Sequence, residues 1–210
     1  MDSLLIRLDA PMQSWGVQSR FDNRDSAREP TKSGIIGLLC AALGRARWEP
    51  LDDLTSLKMG VRVDREGVLK VDYQTIKDIK PPVVSHREYL ANAVFLVGLE
   101  GEFNLLEILQ NALLHPRWSL YLGRKAFPPA EPVWLQDGLR KGEDLYSALT
   151  NYERMVTPSK EDDGRLRLVL EDPITGETIL PDVPVSFQPR RYTIRRVHTT
   201  FANVPFPTGG

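Results

Sequence analysis

The chain has 210 residues, of which 41% are hydrophobic and 26% are charged, a composition that is ordinary for a soluble globular protein. The formal net charge of −1 argues against strong binding of nucleic acid by the whole surface. No apolar stretch is long enough to span a bilayer, and the first residues lack the features of a signal peptide. The single Cys40 fits a reducing compartment, so we expect a cytoplasmic protein without membrane contact.

The charges are distributed unevenly along the chain. Residues 20–47 contain six basic and three acidic side chains, and residues 183–210 contain four arginines and no acid. Such segregation allows a polyanion to bind one face of the protein while another protein binds elsewhere. The alternative is that these stretches are merely solvated surface loops.

The first third of the chain predicts a strand, a long connection and a helix. Residues 3–8 alternate in polarity as a strand does, and residues 11–30 form a polar connection of a length that is usually functional or disordered. A helix is expected from Thr31, a favourable N-cap, to Gly44, a favourable C-terminal residue. Gly34 and Gly37 each lower the stability of this helix by about 1 kcal/mol relative to alanine. We expect close packing, or the close approach of a ligand to the backbone, to offset that loss.

The middle of the chain predicts further strands and a second helix. Residues 59–63 and 68–73 read as a hairpin around residues 65–67, and residues 74–88 read as an excursion from the sheet. Residues 93–97 predict a buried strand. Asn104 and Glu107 then form a capping-box pattern that opens a helix, which Pro116 ends.

The order of these elements is β-α-β-β-excursion-β-α-β, which indicates an α+β protein with a ferredoxin-like domain. Beyond residue 130 the sequence favours short strands, at 165–170, 178–180, 183–187 and 192–197. We therefore expect a ferredoxin-like domain at 1–130 with an insertion at about 74–88, and a small β-rich domain at 131–210.

The start of the first predicted helix is a candidate phosphate site. A helix N-terminus offers unpaired N–H groups and partial positive charge, to which Lys32 adds a full charge and Thr31 and Ser33 add hydroxyl groups. An ordinary capped helix is the alternative. The segment is not a nucleotide-binding P-loop, because the required glycine and lysine spacing is missing.

Basic and aromatic residues alternate in two segments. In the first, Arg20, Arg24, Arg28 and Lys32 recur at every fourth position, with Phe21 among them and Trp15 shortly before them. In the second, residues 121–128, two aromatic residues flank Arg124 and Lys125. Such patterns suit single-stranded RNA, whose bases stack on aromatic rings while cations contact phosphates. Packing of the rings in the core is the alternative.

Catalytic patterns are sparse. The histidines are His86, His115 and His198, and none belongs to a zinc-binding pattern. His86 with a neighbouring tyrosine, Tyr73 or Tyr89, could act as the base and acid of a metal-independent ribonuclease. We expect no metal and no cofactor.

Several blocks, in order, resemble the CasD family of type I-E CRISPR surveillance complexes, known as Cascade. They are residues 5–16 (LIRLDAPMQSWG), 30–39 (PTKSGIIGLL), 71–75 (VDYQT), 87–93 (REYLANA), and 117–118 with 121–125. Each block is short, but together they reach from residue 4 to about 130.

The resemblance implies a RAMP-type ferredoxin-like domain with a protruding thumb, within a ribonucleoprotein complex for antiviral defence. It implies a non-catalytic subunit that binds the 5′ handle of crRNA and caps the CasC backbone. Such a subunit also contacts CasA and the other Cascade subunits, and it acts on target DNA only indirectly. The related type I-C subunit cleaves crRNA itself, so a metal-independent endoribonuclease is the alternative function. A generic protein-interaction module is the third possibility.

If the chain binds the crRNA handle as the resemblance implies, the expected RNA-binding residues are Gln13, Trp15, Gly16, Arg20, Arg24, Thr31, Lys32, Ser33, Tyr73, Arg87, Arg124 and Lys125.

Overall fold

The computed structural model describes residues 1–16, 23–76, 83–157 and 164–206. Within these ranges the strands are β1 (Asp2–Asp9), β2 (Met12–Gln13), β3 (Asn23–Arg24), β4 (Lys58–Arg65), β5 (Val68–Ile76), β6 (Val83–Ala91), β7 (Val94–Gly101), β8 (Trp134–Arg140), β9 (Arg165–Glu171), β10 (Thr178–Phe187) and β11 (Arg190–Asn203). The helices are α1 (Lys32–Leu43), α2 (Asp52–Thr55), α3 (Phe103–Leu114) and α4 (Leu145–Asn151). Arg20 lies outside the described residues.

A seven-stranded antiparallel sheet organises the molecule, in the order β10-β11-β9-β4-β7-β1-β8. Strand β1 pairs along its whole length with β7, from Asp2 opposite Gly101 to Asp9 opposite Val94. The expectation of an α+β protein, which combines helices with a sheet, is therefore confirmed at this level. The division at residue 130 stays a prediction, although β8 and β9 from beyond it pair with β1 and β4.

Both faces of the central strands of the sheet are buried. In β1, Leu4, Ile6 and Leu8 pack in the core that includes α1 and α3, whereas Leu5 packs in a second core with α4. Successive side chains of a strand point to opposite faces, so a strand covered on both sides must be apolar at nearly every position. Each large aliphatic side chain buried in this way contributes about 1.5–3 kcal/mol.

Two glycines allow α4 to lie close to the sheet. A Cβ atom on Gly98 would lie 2.7 Å from Leu145 Cδ1, and one on Gly60 would lie 2.8 Å from Leu149 Cδ1. Gly60 and Gly98 are direct partners in the β4–β7 ladder, so together they form one flat patch. The two leucines of α4 occupy that patch.

A buried arginine holds the C-terminal end of α4. The Arg62 guanidinium donates to the carbonyl oxygens of Leu149, Tyr152 and Glu153. It also pairs with Asp64, with Nε 2.8 Å from Oδ1, and both side chains are fully buried. The last carbonyls of a helix have no partner within the helix, so Arg62 satisfies groups that would otherwise be buried unbonded.

The second sheet is small and contains β2, β3 and β5, each paired with β6. Strands β5 and β6 form a long antiparallel ladder from Val68 opposite Ala91 to Ile76 opposite Val83. The predicted hairpin between residues 59–63 and 68–73 is therefore wrong. Because β7 and β9 occupy the two edges of β4, no edge of that strand remains for β5.

Helix α3 confirms a predicted element but differs at its start and on its buried face. It begins at Phe103, and Glu102 is its N-cap without a side-chain hydrogen bond, so the expected capping box of Asn104 and Glu107 is wrong. Leu106 is fully buried, whereas Ile108, which the helical spacing of the apolar residues would place on the buried face, is 55% exposed. The helix is rotated so that residues 106, 109 and 113 face the sheet.

We predict that Arg62→Met lowers the free energy of unfolding by about 3–5 kcal/mol, because it leaves the buried Asp64 carboxylate without its cation. Denaturation in guanidinium chloride, followed by far-ultraviolet circular dichroism, measures the loss. The control is Arg65→Met on the same strand, which removes only an exposed hydrogen bond to Asn92 and should cost no more than about 1 kcal/mol. Equal losses in the two variants would contradict this role for Arg62.

Candidate nucleic-acid interface

Helix α1 has the predicted ends. Thr31 is the N-cap, and its hydroxyl accepts a hydrogen bond from the Gly34 N–H at 3.3 Å. Gly44 is the C-cap in the left-handed conformation, with φ of 76°. The structure thus confirms the helix that was expected between Thr31 and Gly44.

The N-terminus of α1 lies against a buried cluster of two acids and two bases. The Lys32 backbone N–H donates to Asp182 Oδ2 at 2.8 Å, and Lys32 Nζ lies 3.0 Å from both carboxylate oxygens of Glu171. Arg195 donates from Nε and Nη2 to Asp182, at 2.7 and 2.9 Å. Burial lowers the pKa of the Lys32 ammonium, and the attraction of Glu171 partly offsets that effect.

This cluster gives Lys32 a structural role within the fold. Its side chain is nearly fully buried and bound to Glu171, and Thr31 is 5% exposed. At the helix N-terminus, where a phosphate was expected, the carboxylate of Asp182 accepts a hydrogen bond from the Lys32 N–H, and Lys32 Nζ binds Glu171. Ser33 remains partly exposed beside the cluster.

Gln13 and Trp15 are also interior residues. Gln13 Nε2 donates to the carbonyl oxygen of Ala93 at 2.8 Å, and Trp15 Nε1 donates to Gln13 Oε1 at 3.1 Å. A Cβ on Gly34 would lie 2.8 Å from the indole ring, so packing against Trp15 explains that glycine. Gly16, the next residue along, is exposed.

An open cleft of about 790 Å³ lies alongside α1. Its floor is the exposed face of the helix, one wall is the segment after α3, and the other wall is the β10–β11 hairpin. The described residues that line it are Ser14, Trp15, Gly16, Thr31, Ser33, Gly34, Gly37, Leu38, Cys40, Ala41, Arg45, Arg47, Trp118, Tyr121, Gly123, Pro181, Phe187, Arg190 and Tyr192. The cleft therefore contains four of the expected residues, Trp15, Gly16, Thr31 and Ser33.

The charged residues among the described lining of the cleft are all arginines. Arg45 is held by Asp53, with Nη1 2.7 Å from Oδ1, which keeps the pKa of that aspartate below its ordinary value. Arg47 and Arg190 are exposed, and within the described ranges neither forms an ion pair. These two side chains can neutralise an anion that enters the cleft.

Aromatic side chains form much of both walls. The backbone N–H of Trp118 donates to the Ala41 carbonyl at 3.1 Å, which fixes this residue beside the end of α1. Trp118 is 48% exposed, and Tyr192 on the opposite wall is 44% exposed. Partly exposed rings beside arginines provide stacking surfaces for bases. Trp118, Arg190 and Tyr192 were not expected site residues.

Tyr73 and Arg87 lie away from the cleft, on the small sheet. Tyr73 is opposite His86 in the β5–β6 ladder, and the two rings meet edge to face with centroids 4.7 Å apart. Arg87 donates from Nε to Ser85 Oγ at 3.3 Å. The backbone of Arg24 in β3 pairs with that of Arg87, so three expected positions are neighbours there.

Arg124 and Lys125 lie on the turn that forms one rim of the cleft. The Arg124 guanidinium is 4.6 Å from the centroid of the Tyr89 ring and donates to its hydroxyl at 3.2 Å. Lys125 is exposed. Gly123 has a φ of 88°, and a Cβ there would collide with the Ser14 carbonyl oxygen, so this turn requires glycine.

The described part of the chain shows no group of three or more histidine, cysteine or acidic residues that could hold a metal ion. None of its helices is long and apolar enough to cross a bilayer. Burial raises the pKa of the Cys40 thiol, which lines the cleft, to about 11. The thiol is therefore protonated near neutral pH and is a poor nucleophile.

Comparisons with known proteins agree with one another. The family model described as CRISPR-associated protein (Cas_Cas5) matches residues 3–198. A protein of Escherichia coli (strain K12), CRISPR system Cascade subunit CasD, is 32% identical over 222 aligned positions, which cover 91% of this chain and 92% of that protein.

Two solved structures are similar over nearly the whole chain. One, described as the crystal structure of a Cas protein, is 45% identical with a TM-score of 0.84, covering 99% of this chain and 100% of that one. The other, from a CRISPR RNA-guided surveillance complex, is 36% identical with a TM-score of 0.81, covering 97% and 91%. The chain belongs to the CRISPR-associated Cas5 family, and the resemblance to the CasD family is confirmed.

We predict that Lys32→Glu destabilises the protein by at least about 3–5 kcal/mol, because it places a third carboxylate beside Glu171 and Asp182 in a buried site. Urea denaturation measures the change. Lys125→Glu makes the same charge reversal at an exposed position and should alter stability by about 0.5 kcal/mol or less. If the Lys32→Glu protein were as stable as the wild type, the buried cluster would not contribute to the stability of the fold.

We predict that Cys40 reacts slowly with iodoacetamide in the folded protein near pH 8. Below a pKa of about 11 the thiolate fraction rises about tenfold per pH unit, so the alkylation rate should still be increasing at pH 10. Mass spectrometry of quenched samples gives the rate, and the unfolded chain in urea is the control. A rate that levels off near pH 9 in the folded protein would contradict the raised pKa.

Proposed function

We propose that the chain is a non-catalytic subunit of a Cascade-type CRISPR surveillance complex that binds the 5′ handle of crRNA in the cleft beside α1. The observation behind this proposal is the combination, in one open cleft, of exposed aromatic rings with arginines and without acids among the described lining residues. Membership of the Cas5 family supports the assembly, and the relative from Escherichia coli is named as a Cascade subunit.

The distribution of charge supports a local RNA site. The net charge is −1, so the whole surface does not attract a polyanion. Arg47 and Arg190 lie at the cleft, and the buried acids Glu171 and Asp182 are already neutralised by Lys32 and Arg195. Phosphate binding and base stacking can therefore act together at this place.

The topology supports the finer description of the fold. Strands β1, β4, β7 and β8 are adjacent in the order β4-β7-β1-β8, with α1 after β1 and α3 after β7, which is the arrangement of a ferredoxin-like βαββαβ unit. The β5–β6 hairpin leaves this unit between β4 and β7. In the proposed assembly it is the thumb that contacts the CasC backbone, and the rest of the surface is available to CasA.

A metal-independent endoribonuclease is the second candidate, because the structure brings Tyr73 and His86 together. Their rings are 4.7 Å apart on the exposed side of the small sheet, and both side chains are accessible. An imidazole and a phenol at that distance could serve as base and acid. The two side chains lie outside the cleft, so the second candidate requires RNA to extend along β5 and β6.

We predict that the double variant Arg47→Glu and Arg190→Glu weakens crRNA binding in the reconstituted complex. Each lost phosphate contact should reduce the slope of log affinity against log salt concentration by about 1. Filter binding over a salt series measures both quantities. Lys141→Glu, at the opposite end of the large sheet, is the charge-matched control for each of the two single variants, Arg47→Glu and Arg190→Glu. Wild-type affinity and slope in the double variant would refute binding in this cleft.

We predict no cleavage when purified protein is incubated with CRISPR repeat RNA in EDTA, because the expected role is to hold RNA. Gel electrophoresis of end-labelled RNA is the measurement. Specific cleavage by the wild type that is lost in His86→Ala would favour the nuclease, and would overturn the non-catalytic proposal. His115→Ala, at the end of α3, is the matched control for removal of an imidazole.

A further inference from the structure

The turn that follows α1 carries the most exposed of the four tryptophans. Trp48 is 75% exposed, whereas Trp15 is buried in the core. Its neighbours Arg45 and Arg47 line the cleft, but Trp48 is not among the described lining residues. Tryptophan is one of the residue types that contribute most to binding when a partner covers them. Neither the packing of the fold nor the cleft gives Trp48 a role.

The turn that carries Trp48 is held in one conformation by its own hydrogen bonds. The Glu49 N–H donates to the Ala46 carbonyl oxygen at 3.1 Å, and Glu49 Oε1 accepts from the Ala46 N–H at 2.5 Å. Arg45 spans the turn, with Nη1 2.7 Å from Asp53 Oδ1. Because the backbone is already ordered, a partner that covers the indole ring would lose little entropy in fixing it.

The charges of this turn favour a protein partner over a nucleic acid. Residues 45–53 contain three acidic and two basic side chains. Arg45 is paired with Asp53, and the exposed Asp52 forms no ion pair among the described residues. A surface with this excess of acid repels a phosphate chain, so it does not favour stacking of a base on Trp48. It attracts a lysine or arginine of another protein.

A shallow hollow beside Trp48 is the place where such a cation fits. The residues that line it are Arg45, Glu49, Pro50, Asp52 and Asp53. Glu49 follows Trp48 directly in the chain, so the hollow and the indole ring belong to one surface. Because Arg45 binds Asp53, the carboxylates of Glu49 and Asp52 remain to pair with a cation from outside.

Resting on the assembly in the proposed function, we propose that Trp48 is the central contact of a protein–protein interface. The indole ring enters an apolar pocket of another protein of the complex, and a lysine or arginine at the edge of that pocket enters the hollow and pairs with Glu49 and Asp52. Burial of the ring supplies most of the affinity, and the ion pairs determine the orientation of the partner. Trp48 belongs neither to the cleft lining nor to the β5–β6 hairpin.

Substitutions on this surface separate binding from folding. Trp48→Ala should weaken entry of the chain into the reconstituted complex about tenfold or more, because truncation of a central interface tryptophan has effects of this size. Its melting temperature should stay within about 2 °C of the wild type, because the ring is exposed in the free chain. Asp52→Lys should also weaken assembly, and the loss should shrink as the salt concentration rises.

The matched controls lie on the exposed turn between β9 and β10. Ile174→Ala removes an apolar side chain that is 88% exposed, and Glu177→Lys reverses an exposed charge. Both should assemble as the wild type does. Assembly is measured by fluorescence anisotropy of the labelled 210-residue chain, titrated with the remaining Cascade subunits and crRNA. Equal losses in Trp48→Ala and Ile174→Ala would overturn a specific role for Trp48.

Hydroxyl-radical footprinting identifies what covers the ring. The oxidation rate of the peptide that contains Trp48 is measured by mass spectrometry in the free chain, in the chain with crRNA alone, and in the full complex. We expect protection only in the full complex. Protection by crRNA alone would show a nucleic-acid contact, and protection that grows with the concentration of the chain alone would show an interface between its copies. Either result would overturn the inference.

The outcomes also distinguish this inference from the proposed function. If Trp48 is oxidised in the full complex as fast as in the free chain, while the Arg47 and Arg190 double variant is impaired in RNA binding, the inference fails alone. If Trp48 is protected but the double variant binds RNA as the wild type does, the inference stands and binding of RNA in the cleft fails. If the chain does not join the other subunits, both fail.

Discussion

The double pairing of Asp182 is the interaction on which the geometry of the cleft depends. One carboxylate binds the N–H of Lys32 at the start of α1 and the guanidinium of Arg195 in β11. The cluster is completed by Glu171 of β9, which binds the Lys32 ammonium. Because these groups are buried, loss of one partner would leave an uncompensated charge. The helix and the β10–β11 hairpin are therefore held side by side, and the cleft lies between them.

This arrangement determines which groups remain for a ligand. At the α1 N-terminus, the N–H groups of Lys32 and Gly34 are already bonded within the chain, to Asp182 and Thr31. The cations left at the cleft are exposed arginines, and the other contacts available are ring faces and the small residues of α1. The proposed RNA site would therefore bind through stacking as well as through charge, which fits a chain with a net charge of −1.

Sequence patterns predicted the local features well. The ends of α1 followed from Thr31 and Gly44, whose residue types set the conformation of a helix terminus. The central strands followed from apolar runs. Helix α4 was missed although Asp144 caps it and Leu145, Ala148 and Leu149 have helical spacing, because seven residues give little periodic signal. Its stability comes from Arg62 and the glycine patch, which lie far away in the sequence.

Long-range pairing explains the other differences. Lys32 belongs to a basic, hydroxyl-rich segment, and only the fold reveals that Glu171 and Asp182 meet it. Pairing of β4 with β9 across more than 100 positions likewise left no place for the expected hairpin. For the cleft itself, the acid-free stretch 183–210 with its four arginines was the available signal for the second wall. Its position opposite Trp118 depends on tertiary structure alone.

Photo-crosslinking in the assembled complex tests the central claim most directly. The crRNA would contain 4-thiouridine in its 5′ handle, and crosslinked peptides would be identified by mass spectrometry. The account predicts crosslinks to the peptides that contain Trp118 and Tyr192, the two walls of the cleft. Crosslinks confined to the β5–β6 hairpin, with none at either wall, would contradict it.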